Sequence, residues 1–200
     1  LSQRLSLLNP ESLALLSAAA ILGREFDLDA ASSLVSQNAT SAIRTINEAR
    51  ARNLLWYRLG SGHYVFSHDK IRYALLERVP PSKQRAWHRS AADYIRKNSA
   101  SNFAEIAFHY DAAGELKLAL APALRAAKQA SEIFNYSIAK NQFQIAQRAL
   151  EFANEEEKYA IATGLGTVLM QRGEYDEVEG LYRSAANYAR IQIEHAHSLG

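Results

Sequence analysis

The sequence predicts a mainly α-helical chain in two parts. Residues 1–98 read as a winged-helix domain with its following helix, built from short helices and a small β-hairpin; residues 99–200 read as an antiparallel array of helical hairpins. Three observations predict this. Apolar residues recur at helical spacing through most of the chain. One run, Leu54 to Phe66, is instead rich in strand formers around a Gly-Ser-Gly turn. After the polar stretch Asn98-Ser99-Ala100-Ser101-Asn102, alanine becomes common and strand-like runs vanish.

Asn9-Pro10-Glu11 opens the first helix, with Asn9 as cap and Pro10 in the first turn, where its missing N–H costs nothing. Leu13, Leu16, Ala20 and Ile21 follow at helical spacing and Gly23 ends the run. A second short helix begins at Asp27-Leu28-Asp29, buries Ala30, Ala31, Leu34 and Val35, and closes at Ser36-Gln37-Asn38. A third begins near Thr40 or Ser41 with Ala42, Ile43, Ile46 and Ala49 as its buried stripe. The strands are Leu54 to Leu59 and His63 to Phe66, and three helices followed by such a hairpin is the winged-helix order of elements. Ser67 then caps a helix with Ile71, Ala74, Leu75 and Val79 inward, which Pro80-Pro81 stops; Ser82 to Lys97 forms the next, with Trp87, Ala91 and Ile95 on one face.

In the second part, Leu165-Gly166, Gly173-Glu174-Tyr175-Asp176-Glu177, Tyr182 and Ala185 put small residues where two antiparallel helices touch and a glycine at the turn between them. Ile106-Ala107, Tyr110, Gly114, Ala119, Ala123 and Ala126 repeat the design, and Tyr136, Ala139, Phe143 and Ala146 echo it. The echoes at Ala139 and Val178 lie 39 residues apart, and those at Ala119 and Ala139 only 20 apart, so the array is irregular.

Composition excludes several classes. With 48% hydrophobic and 22% charged residues, 9 glycines and 4 prolines, the chain is neither collagenous nor disordered. Without cysteine it has no disulfide, thiolate zinc site or cysteine nucleophile, in keeping with a reducing compartment. The longest nearly apolar stretch, Leu13 to Leu22, is half the roughly 20 residues a membrane span needs and reads as a core helix. The chain starts at Leu1 with no signal pattern after it, which reads as a piece of something longer. The net charge of +2 hides an asymmetry: residues 1–98 hold 14 Lys/Arg against 8 Asp/Glu, and residues 99–200 hold 9 against 13. A basic first part suits a phosphate-bearing partner or an acidic protein surface.

The stretch Asn9 to Phe26, the segment Tyr64 to Val79 and the following Pro80-Pro81-Ser82-Lys83-Gln84-Arg85 with His88 resemble the region downstream of the nucleotide-binding domain in STAND-type signal-transduction ATPases of the AAA superfamily. The second part resembles the tetratricopeptide-like (TPR) repeats that follow the winged helix in that family, most clearly from Ala162 to Ala186. It departs from their usual pattern in Ala162, where tryptophan is common, and in Val178, where alanine is expected. The resemblance implies a cytoplasmic regulatory fragment, a non-catalytic part of an ATPase whose ATP or ADP and Mg are held elsewhere in the parent protein. Its partners would be the upstream nucleotide-binding domain and a protein or small-molecule signal on the repeats, with no membrane involved. In this family the histidine of the corresponding H-D motif reads the β-phosphate of ADP, so the resemblance makes His68 the nucleotide sensor and Asp69 the residue that fixes the helix start. No G-x-x-x-x-G-K-[ST] occurs in these residues, so no phosphate cradle accompanies them.

By position alone, a histidine between a strand and a helix N-terminus can donate to an anion, but packing or capping is the favoured reading there, and it is the resemblance that makes His68 a sensor. The competing reading is a transcription regulator whose third helix presents Arg44, Asn47, Arg50 and Arg52 to bases or phosphates. An enzyme is the weakest reading. Ser67-His68-Asp69-Lys70 has an S-x-x-K spacing without its partner motifs. His195 and His197 are about 200° apart on a helix and do not suit one metal. Glu155-Glu156-Glu157 is explained by the first turn of a helix. Asn135, Lys140, Gln144 and Arg148 are polar candidates for a binding face on the repeats.

Overall fold

The computed structural model describes Leu5 and residues 7–198, with side chains through Glu194. The chain is mainly helical with a small three-stranded antiparallel sheet, and it divides into two compact units, Leu1–Asn98 and Ser99–Gly200. Among the described residues, no helix is long and apolar enough to cross a membrane.

In the first unit, α1 (Pro10–Leu22) begins where the Asn9 side chain accepts a hydrogen bond from the Ser12 N–H at 2.7 Å. Its residues Leu15 to Ile21 are all buried, because the helices Leu28–Val35, Asp69–Leu76 and Pro81–Asn98 pack around it; this is why the run is apolar nearly all round rather than striped. Strand β1 (Glu25–Phe26) follows. Then come α2 (Leu28–Val35), capped by Asp27, and α3 (Ala39–Ala51), capped by Asn38, whose side chain accepts from the Ser41 N–H at 2.9 Å. Asn38 thus opens α3 rather than closing α2, which ends at Ser36 in the left-handed region. Strands β2 (Leu55–Arg58) and β3 (His63–Phe66) form the hairpin, and β1 pairs with the outer side of β3 to give the order β1-β3-β2.

Helix α4 (Asp69–Leu76) takes His68 as its N-cap residue, not Ser67, and ends before the prolines; Pro81 opens α5 (Pro81–Asn98) instead of stopping α4. Leu15, Leu16, Phe26, Ile46, Leu54, Phe66 and Leu75 form the main core, and Ile21, Val79, Trp87 and Ala91 a second cluster. Ile43 is not in the α3 stripe: it is 52% exposed, and Ser41 and Thr45 are buried instead. The Thr45 and Ser12 hydroxyls meet at 3.1 Å, so a hydrogen bond satisfies polar groups at a place where pattern suggested only apolar contact.

The second unit runs through α6 (Phe103–Ala113), α7 (Leu116–Glu132), α8 (Tyr136–Arg148), a 3₁₀ turn (Leu150–Phe152), α9 (Glu155–Gln171) and α10 (Val178–Ser198). Ala127, Ala139, Phe143, Leu165, Val168 and Leu169 form its core cluster. Three of its turns are built alike. Gly114, Phe134 and Gly173 have φ of 80°, 57° and 74°, and the N–H of the following residue returns to the carbonyl five residues back, at Tyr110, Ala130 and Leu169 (2.9, 2.8 and 2.9 Å). The spacings of 20 and 39 residues between these turns account for the irregular array: α7 closes one hairpin with α6 and opens another with α8. At α9, Asn154 and Glu157 form a reciprocal capping box, and Glu155, Glu156 and Glu157 occupy its first turn.

Candidate functional site

His68 stands exposed at the junction between β3 and α4, with extended backbone (φ −145°, ψ 142°) and no capping bond from its side chain. The residue before it is anchored, since the Ser67 N–H donates to the Leu54 carbonyl at 3.0 Å. Asp69 pairs with Arg24 at 3.7 Å, both side chains more than half exposed. Such a pair contributes under about 1 kcal/mol, so it orients the two side chains more than it stabilises the unit. The resulting surface holds a free imidazole edge, the first N–H groups of α4, and two nearby cations, Arg24 and Lys70, of which Arg24 is already paired.

The α3 residues are less uniform than their spacing suggests. Arg44 lies 3.5 Å from the Glu11 carboxylate and Arg52 2.8 Å from Glu48. Arg50 and Asn47 are exposed and line a trough of about 640 Å³ with Trp56, Tyr57 and Leu59. In the hairpin, Arg58 holds Glu25 at 2.5 Å and lies over the Trp56 ring at 5.3 Å. Of the three candidate arginines, Arg44 and Arg52 face carboxylates, and Arg50 faces none among the described residues.

The second unit carries a larger groove, about 860 Å³, between α7 and α9. Leu124, Lys128 and Ser131 line one wall, Ala160, Thr163 and Thr167 the other, and Tyr136 and Phe143 complete it. Gly164 is required here because a Cβ at that position would overlap the Phe143 ring. The sequence candidates for this face are elsewhere, and three of the four, Asn135, Lys140 and Arg148, are already engaged. Asn135 caps α8 by accepting from Ile138 N–H at 3.3 Å, and Arg148 makes a two-pronged pair with Asp111 (2.9 and 2.6 Å) that joins α8 to α6. Lys140 pairs with Glu174, and Gln144 lines a smaller cavity of about 400 Å³ beside that pair. The two walls of the larger groove lie one step off the buried positions of α7 and α9, a place that no apolar stripe marks in the sequence. His195 and His197 lie outside the residues whose side chains are described.

Among the described residues there is no cluster of three or more His, Asp or Glu placed to hold a metal. The titration of His88 on α5 is strongly perturbed: it is lowered from its ordinary 6.5 to about 4, first by burial and then by the nearby Arg72 guanidinium. Comparison with family models, curated proteins and solved structures finds no match, so no relative lends a role to any of these residues.

Proposed function

We propose that this chain is a non-catalytic regulatory and protein-interaction region of a STAND-type ATPase, in which the first unit is a winged helix and the second a TPR-like array. The winged helix packs on a nucleotide-binding module carried elsewhere in the parent chain, and His68 donates to a phosphate oxygen of the nucleotide held there. The α7–α9 groove receives the partner or signal. Coupling between the two requires that the partner bind the nucleotide-closed and open arrangements with different affinity. The observation that carries this reading is the position of His68: exposed, uncapped, and at a helix N-terminus whose preceding residue is tied to the root of the hairpin. A histidine serving only the fold would be expected to be packed or hydrogen-bonded there.

The DNA-binding alternative draws on Arg44, Asn47, Arg50 and Arg52. Two of those arginines already face carboxylates, pairs that together cost a phosphate contact no more than about 1–2 kcal/mol. A mobility-shift series across salt concentrations separates the two, because phosphate contacts weaken steeply with salt. The nucleotide reading is tested in the parent protein: ADP should co-purify with it, and a variant lacking the phosphate-binding lysine upstream should lose the ADP. A parent chain with no nucleotide-binding module would end the proposal.

A further inference from the structure

The trough beside α3 has a feature that the nucleotide reading does not use. In the sheet order β1-β3-β2, strand β2 is an edge, and the register gives its free side. Phe66 donates its N–H to Arg24 at 2.9 Å, away from β2, so the opposed pairs Leu55–Phe66 and Tyr57–Tyr64 are the non-bonded ones of the antiparallel ladder. The N–H and C=O of Tyr57 therefore point outward, and among the described residues no backbone hydrogen bond reaches them. Along that edge lie Trp56 (41% exposed) and Leu59 (88% exposed), and across the trough stands Arg50. Arg44, Arg52 and Arg58 already face Glu11, Glu48 and Glu25, whereas Arg50 faces no carboxylate among the described residues.

We propose that this trough is a docking site for an extended peptide segment of a partner protein, one that alternates apolar residues with carboxylates. Its backbone adds to the free edge of β2 at Tyr57, an apolar side chain covers Trp56 and Leu59, and a carboxylate meets Arg50. Charge complementarity selects this occupant: the unit carries 14 Lys/Arg against 8 Asp/Glu, and the charge left unneutralised in the trough is a cation. Nucleic acid fits less well, because the turn Leu59-Gly60-Ser61-Gly62 offers no cation to a phosphate backbone. The site is separate from His68 and stands whether or not His68 reads a nucleotide.

The test uses the ¹⁵N-labelled 200-residue chain and four probes: a ten-residue peptide alternating Val or Phe with Glu, its Lys counterpart, the Glu peptide N-methylated at alternate amides, and a 20-base-pair duplex. The Glu peptide is expected to shift the Trp56 indole and the α3 C-terminal amides and to slow exchange of the Tyr57 amide. Arg50→Glu should weaken it at least tenfold and confer binding of the Lys peptide. Leu59→Ser, in an exposed turn that leaves the fold intact, should weaken it several-fold. The proposal is overturned if the Glu peptide leaves β2 unperturbed, if the N-methylated or Lys peptide binds equally well, or if the duplex perturbs the trough with a steep salt dependence.

Discussion

At Phe134 the chain holds an L-residue at φ 57° in a turn whose two sister positions are glycines, and the ring is 74% exposed. The left-handed region costs a non-glycine residue roughly 1–2 kcal/mol, and glycine gives back about 0.5–1 kcal/mol in backbone entropy. Phe134→Gly should therefore stabilise the second unit by up to about 1 kcal/mol, read as a higher urea midpoint with an unchanged slope; a lower midpoint would mean that the ring's edge contact with Tyr136 outweighs the strain. His88 makes a second residue-scale prediction. Its folded-state titration is lowered to about 4 by burial and Arg72, so the unfolded chain binds the proton first. Stability from this group is whole above about pH 6.5 and declines as pH falls from there toward 4. Thermal melts of wild type and His88→Gln should differ in pH dependence across that window, with the variant flatter; parallel curves would remove His88 as the cause.

At the scale of elements, Gly164 links sequence to groove. Replacing it with alanine drives a methyl into the Phe143 ring, and overpacking of this kind costs about 1–3 kcal/mol, so Gly164→Ala should lower the second unit's unfolding midpoint while leaving the first unit's unchanged. Legibility also varied by element. Helix α1 was readable from Asn9-Pro10 to Gly23 because its signals are local: a capping side chain, a proline with no N–H to lose and a glycine at the end. The hairpin was readable from its composition and turn. Strand β1 was not, because two residues carry no period and exist as a strand only through pairing with β3, some 39 positions along the chain. Ser67 and Asn38 sit at boundaries that sequence alone does not resolve, for a related reason. Polar residues clustered at a boundary can end one helix or start the next, and only the backbone angles distinguish these. The repeat's irregularity hid a regular rule, since Phe134 occupies a left-handed turn position that sequence reading reserves for glycine.

For the whole molecule, each unit has its own apolar core, and this predicts that residues 1–98 and 99–200, expressed separately, each unfold cooperatively; a fragment that stays unfolded would show that its core is incomplete alone. The charge division between the units was visible in the sequence, but its use was not. Formal charge counts could not show that Arg44, Arg52 and Arg58 are spent on neighbouring carboxylates while Arg50 is left open. His68 stands out through the family resemblance together with its place between strand and helix, and its exposure is what keeps a phosphate-facing role physically open. The most direct measurement is the release rate of a fluorescent ADP analogue from the proposed parent protein with histidine, asparagine or alanine at position 68. Loss of a hydrogen bond to phosphate predicts release at least tenfold faster in His68→Ala, with His68→Asn intermediate; equal rates in all three would contradict the account.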